Sequence, residues 1–122
     1  MRISRSDVLR LLADSEDGDA YFGRTVDLTS PTMRTIGIKV HLWSAGWRSR
    51  CYRQHANQVY VVLSGTGTSH IGDHRFDWSF GDVFVAPLAT CVAHIVNEDS
   101  LVVALNDESL MKFCGYYKLE DA

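Results

Sequence analysis

The sequence predicts an all-β fold, a small antiparallel β-barrel with one short helix at its amino end and another at its carboxyl end. Two observations predict the barrel. From Tyr21 onward, short runs rich in Val, Ile, Tyr, Phe, Trp and Thr follow one another, the composition that strands prefer. Between them lie turn signals at a regular spacing: Ala45-Gly46, Ser64-Gly65, Gly72-Asp73, Phe80-Gly81-Asp82 and Asn97-Glu98-Asp99. A third observation predicts the helices, because helical spacing of apolar residues is confined to the two ends.

The first helix is expected over residues 4–14. Ser4 is the capping residue, Asp7 stands three residues on as the capping-box acid, and Ile3 and Val8 suit the hydrophobic staple. Val8, Leu9, Leu11 and Leu12 form its apolar stripe. The polar stretch Ser15–Asp19, with Gly18, ends it. The barrel is expected over about 21–105. Its strands are Tyr21–Leu28, Arg34–Trp43, Arg48–Arg53, Gln58–Leu63, Thr66–Ile71, Arg75–Trp78, Val83–Ala86, Cys91–Val96 and Leu101–Leu105. Residues 107–122 are expected as a short helix and tail, with Asn106 or Asp107 as cap and Gly115 as stop.

A chain of 122 residues fits one domain, because two halves would each bury too small a core. Its 46 % hydrophobic content argues against disorder. With 12 basic and 15 acidic residues, the net charge of −3 offers no general attraction for phosphate backbones, so nucleic acid is not an expected partner. No apolar run reaches bilayer length, and the amino end lacks the apolar core of a secretory signal, so no membrane partner is expected. Cys51, Cys91 and Cys114 form no CxxC pair and read as buried small residues rather than a disulfide or zinc framework. The expected compartment is the reducing cytoplasm.

Several separated segments carry a resemblance. Gly46, the SGTG run with Gly65 and Gly67, and Gly81 through Pro87 keep the frame of the two cupin motifs. PTMRTIG, YRQHANQVYVVLSGTG, FDWSFGDVFVAPLATCVAH and GYYKLE resemble the carboxyl-terminal cupin of gentisate 1,2-dioxygenases over roughly residues 28–120. The resemblance implies a cupin barrel, the double-stranded β-helix. Enzymes of that family are two-cupin proteins that cleave hydroxylated aromatic carboxylates with Fe(II), mainly in the amino-terminal copy. Their carboxyl-terminal copy is often metal-free. Motif spacing places Tyr52 and Gln54 at the paired histidine positions, Gln58 at the acidic position and Val92 at the third histidine position. All four ligand positions are altered, so no tightly bound metal is expected.

Alternation places 52, 54, 58, 60 and 62 on one face, taken as the inward one, and gives Arg48 and Arg50 the same parity. The expected pocket carries Tyr52, Gln58 and Tyr60, with His41 reaching the same cavity from a neighbouring strand. The competing reading is a filled core with its hydroxyls satisfied internally. His94 matches a histidine of the family's second copy and is the acid–base candidate together with Tyr60. A lone histidine on a strand is more often structural, so both readings stand. Arg48 and Arg53 match the family's pattern and suit a carboxylate clamp, whereas a solvated face is the default for such a cluster. Trp43, Trp47, Trp78 and Phe76 are expected to pack the barrel or a subunit contact, and His70 and His74 to face solvent.

The functional expectation is a stand-alone cupin that binds and transforms a small acidic aromatic or natural-product-like molecule. Isomerase, cyclase, dehydratase or decarboxylase chemistry by acid and base suits these residues without metal. One alternative is an Fe(II)-dependent ring-cleaving dioxygenase using displaced histidines at His41, His55 and His94. The other is a non-catalytic binding or partner cupin. A homodimer is expected, formed through the amino-terminal segment, because the strand edge at Tyr21–Leu28 needs covering.

Overall fold

Alternating inward and outward side chains drive the chain into two facing five-stranded sheets. The structure, a computed structural model, describes residues 2–14, 21–30 and 35–122. The strands are β1 (Arg24–Asp27), β2 (Gly37–Trp43), β3 (Tyr52–Gln54), β4 (Gln58–Ser64) and β5 (Gly67–Ile71), then β6 (His74–Trp78), β7 (Val83–Ala86), β8 (Cys91–Val96), β9 (Ser100–Asn106) and β10 (Leu119–Asp121). Helix α1 spans Arg5–Asp14 and α2 spans Glu108–Phe113. One sheet runs β1-β2-β9-β4-β7 and the other β10-β3-β8-β5-β6. Every pairing is antiparallel.

The capping box of α1 is formed as the sequence implies. The Asp7 amide donates to Ser4 Oγ at 3.2 Å, and the Ser4 amide donates to the Asp7 carboxylate at 3.3 Å. The apolar stripe is narrower than expected. Leu12 is buried and Val8 packs beside it, four residues apart, whereas Leu9 and Leu11 are exposed. Leu12 and Val8 pack with Val40, Leu101 and Val103 on the outer face of the first sheet. The expected end of the helix at Ser15–Asp19 lies outside the described residues, as does the expected strand start at Arg34.

Inside the barrel, β4 follows the predicted parity: Gln58, Tyr60 and Val62 are buried, and their neighbours are not. A bulge after Val62 shifts its register against β9. The SGTG glycines are required by close approach. A Cβ on Gly65 would meet the Asp99 carbonyl oxygen at 2.5 Å, and one on Gly67 would meet the Trp78 ring at 2.4 Å. Trp43 and Trp78 fill the interior, with Trp47 and Phe76 packed against them.

Three expectations change. Arg48–Arg53 is not one strand: Arg48 makes an isolated bridge to Ile95, and β3 begins only at Tyr52. None of the three cysteines is buried; Cys51 and Cys114 are exposed and Cys91 is intermediate. A tenth strand, β10, forms from exposed residues that lack an apolar alternation, by pairing with β3. Helix α2 stops before Gly115, which takes φ of 77°. Its capping is indirect. Asp107 accepts from the Asn57 backbone and side chain at 2.7 and 2.8 Å, while Asn106 Oδ1 accepts from the Glu108 amide at 3.1 Å.

Candidate functional site

Strand β8 carries His94 into the middle of the barrel, where it is wholly buried. Tyr52 on β3 pairs with Val92 across the strands, so His94, two residues on, lies diagonally on the same inward face. Its Nε2 is 3.0 Å from the Tyr52 hydroxyl, and that hydroxyl is 3.1 Å from the Tyr60 hydroxyl. Its Nδ1 is 2.8 Å from Ser69 Oγ, which accepts from the Trp78 indole at 2.9 Å.

The direction of this chain follows from its donors and the imidazole tautomer. Trp78 can only donate, so Ser69 Oγ accepts from it and keeps one hydrogen and one lone pair for His94 Nδ1. With the imidazole hydrogen on Nε2, Ser69 donates to Nδ1 and His94 donates to Tyr52; with it on Nδ1, Ser69 accepts and Tyr52 donates to Nε2. Sequence parity puts Tyr52 and Tyr60 on one face, and the motif position of His94 adds the imidazole; Ser69 and Trp78 complete the network without a signal in the sequence.

His41, on β2, is also buried. It bonds Thr25 through Nδ1 at 2.7 Å and stacks on Trp43 with centroids 5.4 Å apart. Trp43 stacks in turn on His94 at 4.8 Å. Burial lowers the His41 pKa to about 3, with His94 and Lys39 adding to the effect, and burial lowers that of His94 to about 3. Burial also raises the phenols of Tyr52 and Tyr60 above their ordinary value. Both imidazoles are therefore neutral near pH 7.

A second polar cluster closes one end of the barrel. The Glu108 carboxylate, buried at the start of α2, meets Lys39 Nζ at 2.8 Å. It also accepts from the Gln54 amide and, at 3.1 Å, from the Gln58 amide. Gln58 donates further to Gln54 Oε1 at 3.0 Å, and Gln54 to the Tyr117 hydroxyl at 3.1 Å. Nothing in the sequence marks Glu108, because it arrives from beyond the last barrel strand. Tyr52, Gln54, Gln58 and Val92 surround one tight crevice with no room for a water molecule, walled by Ala56, Ala86, Pro87 and Thr90.

Iron does not fit these residues. Val92 has no donor atom, the amide nitrogens of Gln54 and Gln58 point hydrogens at Glu108, and burial holds Tyr52 in its neutral phenol form. The displaced histidine set is not assembled either. His55 Nε2 bonds Glu120 at 3.0 Å near the surface, away from His41 and His94 in the core. Among the described residues no group of three or more His, Cys, Asp or Glu is placed to hold a metal.

The arginines are placed differently from expectation. Arg48 is exposed because the chain around it leaves the strand and loses its parity. Arg50 is exposed too, and pairs with Asp121 at 3.1 Å. Arg53 stands between inward Tyr52 and Gln54, so it faces out. None of the three lines the cleft. His70 and His74 are exposed, as the sequence implies.

Known proteins bear on this geometry. No protein-family profile matches the chain. It is 30 % identical over 91 residues to 5-aminosalicylate 1,2-dioxygenase of Comamonas sp, covering 74 % of this chain and 24 % of that enzyme. It is 25 % identical over 117 residues to gentisate 1,2 dioxygenase 1 of Aquipseudomonas alcaligenes, covering 92 % of this chain and 34 % of that one. The chain thus spans a quarter to a third of the length of these curated relatives. Among solved structures, salicylate 1,2-dioxygenase from Pseudoaminobacter salicylatoxidans superposes with a TM-score of 0.89 at 16 % identity, over 98 % of this chain and 36 % of that one. KdgF from Halomonas sp superposes with a TM-score of 0.65 at 23 % identity, over 76 % of this chain and 84 % of that one. Fold and sequence together give this chain a cupin-type barrel, with gentisate and 5-aminosalicylate 1,2-dioxygenases among its relatives.

Proposed function

We propose that the protein is a metal-independent cupin that binds a small acidic aromatic molecule at the Tyr52–Gln54–Gln58 end of its barrel and transforms it by acid–base chemistry. One observation carries the reading. The four altered ligand positions converge on a single tight crevice, where amides and a phenol face an apolar wall of alanine, proline and valine that a ligand has to part to enter. The relatives' names, with gentisate and 5-aminosalicylate, support an aromatic acid as ligand class. In this reading Tyr52 is the group nearest the ligand. His94 and Tyr60 exchange protons with it along the hydrogen-bonded chain, without a charge having to form in the core.

The test is a binding panel of benzoate, salicylate, gentisate and phenol, read by calorimetry, followed by product analysis. Binding that weakens about tenfold or more in Gln58→Leu supports the cleft. No binding by any member of the panel overturns the reading. Oxygen uptake with gentisate that a chelator abolishes would establish the iron dioxygenase instead.

The non-catalytic binding or partner cupin is favoured by a specific observation. Trp43, Tyr60, Phe84 and Trp78 stack around His94 and fill the interior. Binding without turnover would select it. A cytoplasmic location is supported by three free cysteines, and among the described residues no helix is long and apolar enough to cross a membrane. A homodimer is supported by β1, which pairs with no further strand beyond β2 among the described residues, and by Phe80 and Val83, which are 76 % and 61 % exposed. Light scattering at micromolar concentration that gives the 13.7 kDa monomer would reject it.

A further inference from the structure

We propose that the outer face of the first sheet, over β9, β4 and β7, is the surface through which two copies of this chain dimerise, sheet against sheet. This rests on the dimer reading above and moves its contact from the edge at β1 to a face.

Strand register lays that face out side chain by side chain. Ile38, Leu105, Val59 and Val85 stand in one outward row across β2, β9, β4 and β7. Val40, Val103, Val61 and Val83 stand in the next. Neither row holds a polar residue. Tyr60, Val62, Phe84, Val102 and Ala104 fill the opposite, inward face of the same strands. Strands that are apolar toward both faces belong to a sheet covered on both sides. The second sheet gives the contrast. Its outer face pairs Arg53 with Glu120 across β3 and β10, and sets Arg75 and Asp77 of β6 opposite His70 and Thr68. That face suits water, and the first does not.

Helix α1 covers only part of the apolar face. Leu12, with Val8 beside it, packs on Val40 and Leu101 at the β2–β9 side. Farther along, Leu63, Phe80, Val83, Val85 and Leu105 remain 38–76 % exposed. These five show water on the order of 500 Å² of apolar surface, toward the upper end of what a monomer exposes in one patch. Mated face to face, two copies bury on the order of 1,000 Å², the size at which specific interfaces begin. Phe80 borders an apolar recess of about 400 Å³ beside α1, with Ile3, Val8 and Leu63, and is the aromatic anchor of the contact.

Chemistry selects a second copy as the occupant. Residues 15–20 of the chain carry Glu16, Asp17 and Asp19 and are too acidic to cover an apolar face. A lipid surface calls for basic residues around the patch, and Arg5 is the one charged residue at the recess in a chain of net charge −3. A face without charge meets its own copy about a two-fold axis with no like-charge conflict, and sheets stack on one another in this way.

The experiment is sedimentation equilibrium at about 1 to 100 μM on three proteins: the parent, the double variant Val83→Lys/Val85→Lys, and Arg75→Ala on the charged face. Circular dichroism and the urea midpoint report whether the variants fold. The parent is expected at twice 13.7 kDa, and Arg75→Ala with it. The double variant should self-associate at least about tenfold more weakly. Dilution of the parent, followed by methyl NMR, should shift Val61, Leu63, Val83 and Val85 and spare Ala93, which keeps the proposal testable even if the double variant does not fold. A parent that stays monomeric at the top concentration overturns the face and the dimer reading together. An unchanged dimer in the folded double variant overturns the face alone, as do dilution shifts confined to β1. Neutral phosphatidylcholine vesicles that bind the parent and not the double variant would assign the face to lipid and overturn the proposal. Neither Val83 nor Val85 lines the crevice, so the ligand reading stands or falls on its own binding panel.

Discussion

Nε2 of His94 lies 3.0 Å from the hydroxyl of Tyr52, so the two side chains share one hydrogen bond across β3 and β8. The bond lies in a wholly buried setting, and Ser69 holds the other imidazole nitrogen at 2.8 Å. Both the stability of the barrel and the proposed proton path therefore depend on one side chain.

His94→Ala is expected to destabilise the protein by roughly 2–4 kcal/mol. It leaves a cavity between stacked rings and strands the hydroxyls of Ser69 and Tyr52. Urea unfolding measures this. A midpoint equal to that of the parent would show that His94 does not hold the core. Loss of turnover in a variant that keeps the fold would assign it the chemical role.

Stability should fall with acid through the two core histidines. His41 and His94 each titrate at about 3 when folded, against an ordinary value of 6.5. Below 6.5 the unfolded chain binds protons that the folded chain refuses, so stability is full above that pH and declines as the pH drops toward 3. Each histidine contributes a slope approaching about 1.4 kcal/mol per pH unit. Between pH 7.5 and pH 5 the two together should remove roughly 4 kcal/mol. Denaturant unfolding at those two pH values checks it. Equal stability at both would mean that the imidazoles are not kept neutral by burial.

Glu108→Ala should cost about 3 kcal/mol or more, because it leaves the Lys39 ammonium and two glutamine amides without their shared acceptor. Lys39→Met should also destabilise. The double variant should cost less than the sum of the two, since each change removes the same bond. Strict additivity in thermal or urea unfolding would show that the pair is not coupled.

Purified protein is expected to carry no stoichiometric iron. The expectation rests on Val92, which lacks a donor, and on the Gln54 and Gln58 amides committed to Glu108. Elemental analysis that finds about one iron per chain would reverse it. Chelation should leave the melting temperature unchanged, whereas a resident metal would make it fall.

Local chemistry settled much of this protein. Strand alternation, a property of the extended backbone, was enough to place Tyr52, Gln54, Gln58 and Tyr60 on one buried face. Motif spacing was enough to place Tyr52, Gln54, Gln58 and Val92 at positions that come together at one end of the barrel. The capping box of α1 needed only residues three apart. Where the chain leaves regular structure, parity carries no information, and that is why Arg48 and Arg50 were assigned inward and lie outside. Long-range partners were equally invisible. Glu108 is 54 residues from Gln54, and His94 is 42 from Tyr52, so only the closing of the sheets decided who meets whom. The same closure made β10 a strand, through pairing with β3 rather than through its own composition.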